Sequence, residues 1–441
     1  MRNKDSLQEQ RREMRRKRRV RNQILAYSIS LLFLIGVFIG GYYLVSQRQS
    51  EIEQQEQEVL QSQEKLDNLL GKEESIAPTP VPTPEIVEPT PEEKFEMLLE
   101  EMIAEIPLEN KVAGLFIVTP EAITGVNTAV MAGENTKAAL EKYTVGGLIY
   151  FRKNIESAEQ IKDMLTNTQA FAQYRLFLAV DEEGGKVARL ADAGIYDRVD
   201  GAAVIGATKD TNNAYRAGTT IGSVLASVGF NLNFAPVADV ANVSGSVMKD
   251  RSYGSDAGTV AGFVAAMTQG LQENGVTACL KHFPGIGATT ADTHNGLAFT
   301  DRSKEQFKQE ELTVFSAGMD AGANMIMVGH MSAPNLTGNN DPCIFSEDLI
   351  TTILREEMGF EGVIITDALN MGAISKYYAS DEAAIMALKA GCDMLLMPES
   401  FEKAYGGVLQ AVLNGTISEE RIDDSLKRIF RIKYADLLEK E

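Results

Sequence analysis

Eight short apolar runs in residues 114–397 constrain the fold of this chain more than any other feature. Each is five or six residues long and mostly apolar on both faces, as in strands of a covered parallel sheet. Helical patterns separate the runs, for example at 310–322 and 346–360. The runs are GLFIV (114–118), GGLIY (146–150), LFLAVD (176–181), NLNFAP (231–236), TACLKH (277–282), NMIMVG (324–329), GVIITD (362–367) and DMLLM (393–397). This alternation predicts an α/β fold, a (β/α)8 TIM-type barrel, with a doubly wound open sheet as the alternative.

Titratable residues lie at the ends of four of these predicted strands. Asp181 ends the third run, Lys281 and His282 end the fifth, His330 follows the sixth, and Asp367 ends the seventh. Charged residues at the tip of an apolar strand are poor core material. In a barrel the carboxyl ends of the strands meet at one rim, where catalytic groups lie. The pattern therefore predicts an active site at that rim.

A loop rich in Gly, Pro and Thr follows His282 and contains the sequence Asp292-Thr-His294. In an extended loop, residues two apart point to the same side. A carboxylate there can accept the Nδ1 hydrogen of the imidazole, which leaves Nε2 to exchange a proton near neutral pH. An ordinary surface loop, in which Asp292 and His294 make local turn hydrogen bonds, explains the spacing equally well.

Asp367 and a second charged set suggest chemistry on a sugar. An aspartate at the tip of a buried strand can attack an anomeric carbon if nearby donors keep it ionised, although it can also cap the next helix. Hydrogen-bonding side chains suited to sugar hydroxyls are Asp181, Arg251, Lys281 and His282. Lys281 could alternatively serve only to neutralise Asp181.

Several long motifs resemble the catalytic domain of glycoside hydrolase family 3, in particular its single-domain β-N-acetylglucosaminidases. The resemblance covers roughly residues 95–436, and its motifs occur in the same order as in the family. They are AVDEEGGKVARL, NLNFAPVADV, KDRSYGSD, KHFPGxG followed by DxH, and GVIITDALNM.

The resemblance implies a role for each matching residue. Asp367 would be the nucleophile of a retaining reaction, and His294, paired with Asp292, would be the general acid/base on a mobile loop. Asp181, Arg251, Lys281 and His282 would hold N-acetylglucosamine, and His330 would support the site. This chain has Ile286 and Ala288 where the family usually has His and often Asp, which puts loop mobility and the preference for a leaving group in doubt.

The N-terminal part predicts a membrane anchor. Residues 1–23 are a basic cytoplasmic segment, and residues 24–45 contain 22 uncharged residues, enough to cross a bilayer as a helix. Since cations stay on the cytoplasmic side, residues 95–441 would face outward. Residues 46–94 form a Gln/Glu-rich stalk, with a weak heptad pattern that suggests a possible dimer, and a Pro-rich linker. An uncleaved anchor is favoured over a signal peptide, because the apolar run is long and no small-residue cleavage site follows.

These features predict a membrane-anchored exo-β-N-acetylglucosaminidase that acts on peptidoglycan-derived or related glycans. A catalytically silent glycan-binding scaffold and a phosphorylase are the alternatives. The net charge is +8 for residues 1–50 and −20 for the whole chain, so the remainder is too acidic to bind nucleic acid. No cofactor or metal is expected. Three widely spaced cysteines make no disulfide framework, and Cys279 and Cys392 are expected to be buried.

Overall fold

A computed structural model describes residues 89–291 and 296–438 of the chain. Eight parallel strands of this described part form one sheet, in which neighbouring strands follow one another along the chain and the last strand pairs with the first. The sheet closes, since Phe116 pairs with Leu395 at one side and Ile365 bridges to Met394 at the other. The predicted barrel is therefore confirmed, and the open-sheet alternative does not apply.

Each barrel strand lies within one of the eight apolar runs or ends one residue beyond it. The sheet strands are β1 Phe116–Val118, β2 Gly147–Tyr150, β3 Phe177–Val180, β6 Leu232–Asn233, β7 Thr277–Phe283, β8 Met325–Val328, β9 Val363–Thr366 and β10 Leu395–Leu396. Almost every residue in them is buried. Apolar side chains on both faces are thus explained by a barrel packed inside and covered by helices outside.

Helices lie before, between and after the strands along the chain. They are α1 Pro91–Ala104, α2 Leu108–Ala113, α3 Pro120–Thr124, α4 Glu134–Lys142, α5 Ala158–Phe171, α6 Arg189–Asp192, α7 Ala202–Ala207, α8 Asn212–Val228, α9 Ala257–Gln272, α10 Lys304–Gln309, α11 Glu311–Asp320, α12 Pro334–Thr337, α13 Gly372–Ser375, α14 Ser380–Ala390, α15 Phe401–Leu413, α16 Glu419–Lys433 and α17 Ala435–Leu438. Short 3₁₀ turns occupy Arg152–Asn154, Ile286–Ala288 and Cys343–Phe345. The helix predicted at 346–360 is a π-helix over Asp348–Glu357, and the helix predicted at 310–322 is α11.

A two-stranded antiparallel hairpin, β4 Glu182–Gly184 and β5 Val187–Ala188, follows β3 directly. Its turn contains Gly184 and Gly185 with φ of 86° and 57°, a conformation that glycine adopts without strain. The sequence AVDEEGG therefore forms a hairpin beside the barrel mouth and not the simple strand-to-helix turn that it could also have formed.

Helix α1 begins four residues before the predicted start of the catalytic domain at residue 95. Thr90 and Glu93 form a capping box, and Pro91 occupies the first helical turn, where its missing N–H costs nothing. Phe95, Leu99 and Ile103 bury the inner face of the helix. Residues 91–94, assigned from composition to the Pro-rich linker, are thus part of the folded domain.

The predictions for the N-terminal part concern residues outside the described ones. These are the basic segment 1–23, the membrane span 24–45 and most of the stalk and linker, 46–88. Within residues 89–291 and 296–438, no helix has the length and apolar character needed to cross a membrane. All three cysteines are buried with free thiols, which confirms the prediction for Cys279 and Cys392.

Candidate active site

The strand ends converge on a cavity of about 350 Å³ at the barrel mouth. This volume lies within the range of roughly 300–1,000 Å³ that is usual for small-molecule sites. Five of the eight predicted site residues line it, namely Asp181, Arg251, Lys281, His282 and Asp367. The other lining residues are Ile149, Phe151, Glu183, Val187, Arg189, Met327, Ala368, Asn370, Met371, Leu396 and Met397. Titratable residues from three strand ends, those of β3, β7 and β9, therefore surround one space together with Arg251.

Lys281 is the centre of a buried ion network. Its Nζ lies 2.6 Å from Asp181 Oδ1 and 2.7 Å from Glu183 Oε1, and only 3% of its side chain is exposed. Glu183 also accepts from Arg251, at 2.9 Å from Nε and 2.6 Å from Nη2. Two cations and two carboxylates thus alternate, so that each charge has an opposite partner in a largely buried network.

This network sets the ionisation of its members. Burial would raise the pKa of Glu183, but the charges of Lys281 and Arg251 outweigh it and lower that pKa to about 2. Burial would lower the pKa of Lys281, yet Asp181 and Glu183 raise it above its ordinary value. Glu183 therefore stays an anion and Lys281 a cation, so the two are paired at neutral pH without a bound sugar.

The lowered pKa of Glu183 predicts an acid-dependent loss of stability. Its contribution to the free energy of unfolding is complete above the ordinary value near pH 4.5 and is lost as the pH falls towards 2, since the unfolded chain takes up the proton first. We expect the difference in unfolding free energy between wild type and Glu183→Gln to shrink steadily from pH 5 to pH 3. Urea unfolding at each pH measures it, and a constant difference would show that Glu183 has no lowered pKa.

Asp367 lies directly after β9, and its side chain faces the cavity. Its Oδ1 accepts a hydrogen bond of 2.7 Å from the backbone N–H of Ala368. Burial would raise its pKa, but the charges of His330 and His282, this hydrogen bond and Lys281 together lower it. An ionised carboxylate at the base of a sugar-sized cavity is what a nucleophile for an anomeric carbon requires.

His330 and His282 both act on this carboxylate but make different contacts. His330 is fully buried, and its Nε2 lies 2.8 Å from the carbonyl oxygen of Ala368, so that it contacts the backbone next to Asp367 without lining the cavity. His282 lines the cavity, and its Nδ1 lies 2.8 Å from Oδ2 of the buried Asp239. The supporting role of His330 stays a prediction.

Asp292 and His294 lie outside the described residues, so their predicted pairing and role remain predictions. The parts of the loop on either side are fixed. Gly287 approaches the backbone so closely that a Cβ would lie 2.2 Å from Val240 O, and Ser246 Oγ donates to Gly287 O at 2.8 Å. On the other side, Ser332 N donates to Ala298 O and Thr300 N to Ser332 O.

The two departures from the family motif are both buried beside this loop. Ile286 is 5% exposed and Ala288 9% exposed, and a Cβ on Gly329 would lie 3.4 Å from Ile286 Cγ2. The side chains at these two positions are therefore packed inside the protein and do not face solvent.

Three residues at or next to the cavity were not singled out from the sequence. Glu183 lies in the hairpin, and Arg189 begins α6 directly after it; both line the cavity, and Asp239 contacts His282. Arg189 Nε is buried and has no hydrogen-bond partner among the described residues, which leaves it available to a ligand. The sequence did contain a signal for them. Glu183 and Arg189 lie with Asp181 in AVDEEGGKVARL, and Asp239 lies in NLNFAPVADV, which contains the fourth predicted strand.

No group of three or more His, Cys, Asp or Glu side chains within residues 89–291 and 296–438 has an arrangement that could hold a metal ion. The cavity is instead lined by paired cations and carboxylates.

Comparison with protein families gives one match that covers most of the chain. Residues 107–432 match the model of the glycosyl hydrolase family 3 N-terminal domain. This range includes all eight barrel strands of the described residues and every predicted site residue.

Curated relatives and solved structures agree with that match. A β-hexosaminidase of Chromobacterium violaceum is 34% identical over 277 residues, which are 62% of this chain and 76% of the relative. Beta-hexosaminidase A of Pseudoalteromonas piscicida is 32% identical over 323 residues, which are 67% of this chain but only 54% of that protein. A family 3 β-N-acetylglucosaminidase from Paenibacillus sp. FPU-7 superposes with a TM-score of 0.71 at 34% identity, covering 76% of this chain and 63% of that one.

Proposed function

Since the chain belongs to glycosyl hydrolase family 3, we propose that it is a retaining exo-β-N-acetylglucosaminidase that removes terminal N-acetylglucosamine from peptidoglycan-derived or related glycans. The observation that supports this best is the cavity of about 350 Å³ with Asp367 at its base and the Asp181, Lys281, Glu183 and Arg251 network beside it. Relatives that carry the names β-hexosaminidase and β-N-acetylglucosaminidase support the same sugar.

In the first chemical step, a carboxylate oxygen of Asp367 attacks the anomeric carbon. The bond from that carbon to the leaving-group oxygen breaks, and this oxygen takes a proton from His294, which Asp292 orients. In the second step, water attacks the anomeric carbon, gives a proton back to His294, and releases Asp367. Two displacements at one carbon return the β configuration.

The charged rim would bind the sugar through its hydroxyl groups. Asp181 keeps 19% of its side chain exposed while paired with Lys281, so it can accept from a sugar hydroxyl without breaking the network. Arg189 and His282 add donors on two other sides of the cavity. A site that pairs its own polar groups with several hydroxyls rejects ligands that lack them, because those groups would then be left unpaired.

Incubation of the full-length chain with p-nitrophenyl β-N-acetylglucosaminide tests the proposal. We expect release of p-nitrophenol and free N-acetylglucosamine, and little with the matching β-glucoside. Binding without turnover would support the silent scaffold instead. A rate that requires phosphate, with a sugar phosphate as product, would support a phosphorylase.

The proposed location is the outer face of the cell membrane, with residues 1–23 in the cytoplasm and the catalytic domain outside. Its support is the basic segment followed by 22 uncharged residues at 24–45. Protease added to intact cells should remove the catalytic domain from the cell fraction. Protection until the cells are lysed would contradict the proposal.

A further inference from the structure

Asp239 is a fully buried carboxylate that lies between the cavity wall and the loop over the barrel mouth. It follows β6, and none of its side chain is exposed. It does not line the cavity, so a direct contact with the sugar is not its role. Burial would lower the pKa of Arg251, but the charge of Glu183 raises it, and the charge of Asp239 adds a smaller effect in the same direction.

The two carboxylate oxygens of Asp239 serve two different parts of the site. Oδ2 lies 2.8 Å from Nδ1 of His282, and Oδ1 accepts a hydrogen bond of 2.6 Å from the backbone N–H of Ile286. An ionised carboxylate only accepts hydrogen bonds, so Nδ1 of His282 must carry the hydrogen in this contact. Nε2 is then the ring nitrogen that remains for the cavity.

We propose that Asp239 is a positioning residue that fixes, through one side chain, both the ring of His282 and the first turn of the loop that follows it. The inference rests on the function proposed above, in which this loop carries the proton donor. Gly287 and Ser246 hold the same turn against segment 239–246, as their close contacts show. Asp239 thus holds both a residue that binds the sugar, His282, and the start of the loop that carries the proton donor.

Asparagine cannot replace Asp239, because its single amide oxygen cannot accept both hydrogen bonds and its NH₂ group only donates. We expect Asp239→Asn to lower kcat/KM by about 10- to 100-fold, because its oxygen can accept from only one of the two partners. If it keeps the Ile286 N–H, its NH₂ group faces His282 Nδ1, and the hydrogen of that ring moves to Nε2 on the cavity side. The assay is hydrolysis of p-nitrophenyl β-N-acetylglucosaminide by the full-length chain.

Ile286→Pro separates the two effects. This substitution removes the N–H that donates to Asp239 Oδ1, and it does not change the groups that join Asp239 to His282. Ile286 begins the 3₁₀ turn Ile286–Ala288, a position that tolerates proline. We expect a fall in kcat of about tenfold with KM within twofold of wild type. Wild-type kcat in Ile286→Pro together with wild-type kcat/KM in Asp239→Asn would overturn the proposal.

The chain has three histidines, so ¹⁵N-histidine labelling gives few enough imidazole signals to follow His282 directly. With His282→Gln as the assignment variant, we expect His282 of the wild type to carry its hydrogen on Nδ1 when neutral, and to lose this preference in Asp239→Asn but not in Ile286→Pro. A wild-type His282 with its hydrogen on Nε2 would overturn the proposal. This result is independent of turnover, so an inactive wild type would contradict the proposed function and still leave Asp239 tested. The wild-type NMR spectrum still tests the contact between Asp239 and His282 if the Asp239→Asn variant does not fold.

Discussion

Asp367→Asn is expected to lower turnover of p-nitrophenyl β-N-acetylglucosaminide by at least about 10⁴-fold, the scale seen when a residue that forms a covalent intermediate is removed. The amide is almost the same size and can still accept the Ala368 N–H, so the fold should be kept. What is lost is the negative charge that the anomeric carbon needs. KM should change much less than kcat, because the groups that bind the sugar hydroxyls remain.

Asp320→Asn is the matched control for this variant. It makes the same chemical change at an exposed position at the end of α11, away from the cavity. Its rate should equal that of the wild type, and both variants should remain folded at the assay temperature. An active Asp367→Asn enzyme would contradict the role of this carboxylate.

Lys281→Met is expected to lower the free energy of unfolding by about 3–5 kcal/mol, because it leaves buried carboxylates without a cation between them. Asp181 and Glu183 both contact Nζ within 2.7 Å, and Arg251 can compensate for only one of them. Sugar binding should fall as well, since Asp181 is then free to turn away from the cavity. Urea unfolding at pH 7 measures the first effect, and KM measures the second.

Lys308→Met is the control for Lys281. Lys308 pairs with Glu357 at 3.1 Å, but 49% of its side chain is exposed, and such surface pairs contribute little. Its unfolding midpoint should stay at the wild-type value. A Lys281 variant as stable as this control would show that the buried network does not depend on its cation.

The barrel could be predicted because its strands are covered on both faces, which gives continuous apolar runs in the sequence. The same reasoning located Asp181, Lys281, His282 and Asp367, since the polar residue at the end of such a run must lie at the rim. All four line the cavity. Strand ends are therefore the part of a barrel site that a sequence reveals most directly.

Residues outside the strand ends were harder to locate, because their positions depend on contacts between distant segments. Glu183 faces Lys281 only because β4 turns back as a hairpin, and Asp239 reaches His282 across 43 positions in the chain. Neither contact is indicated by a periodic pattern in the surrounding sequence. The start of the folded domain was placed at residue 95, four residues after the start of α1, for a different reason: the capping box of Thr90 and Glu93 is hidden in a Pro-rich stretch.

The central claim, that Asp367 attacks the sugar, is tested most directly by trapping the glycosyl-enzyme. The full-length chain would be incubated with an activated 5-fluoro derivative of N-acetylglucosamine, quenched in acid, digested, and examined by mass spectrometry. We predict a sugar adduct on the peptide that contains Asp367, and none in Asp367→Asn. An adduct on another carboxylate, with the Asp367 peptide unmodified, would contradict the account.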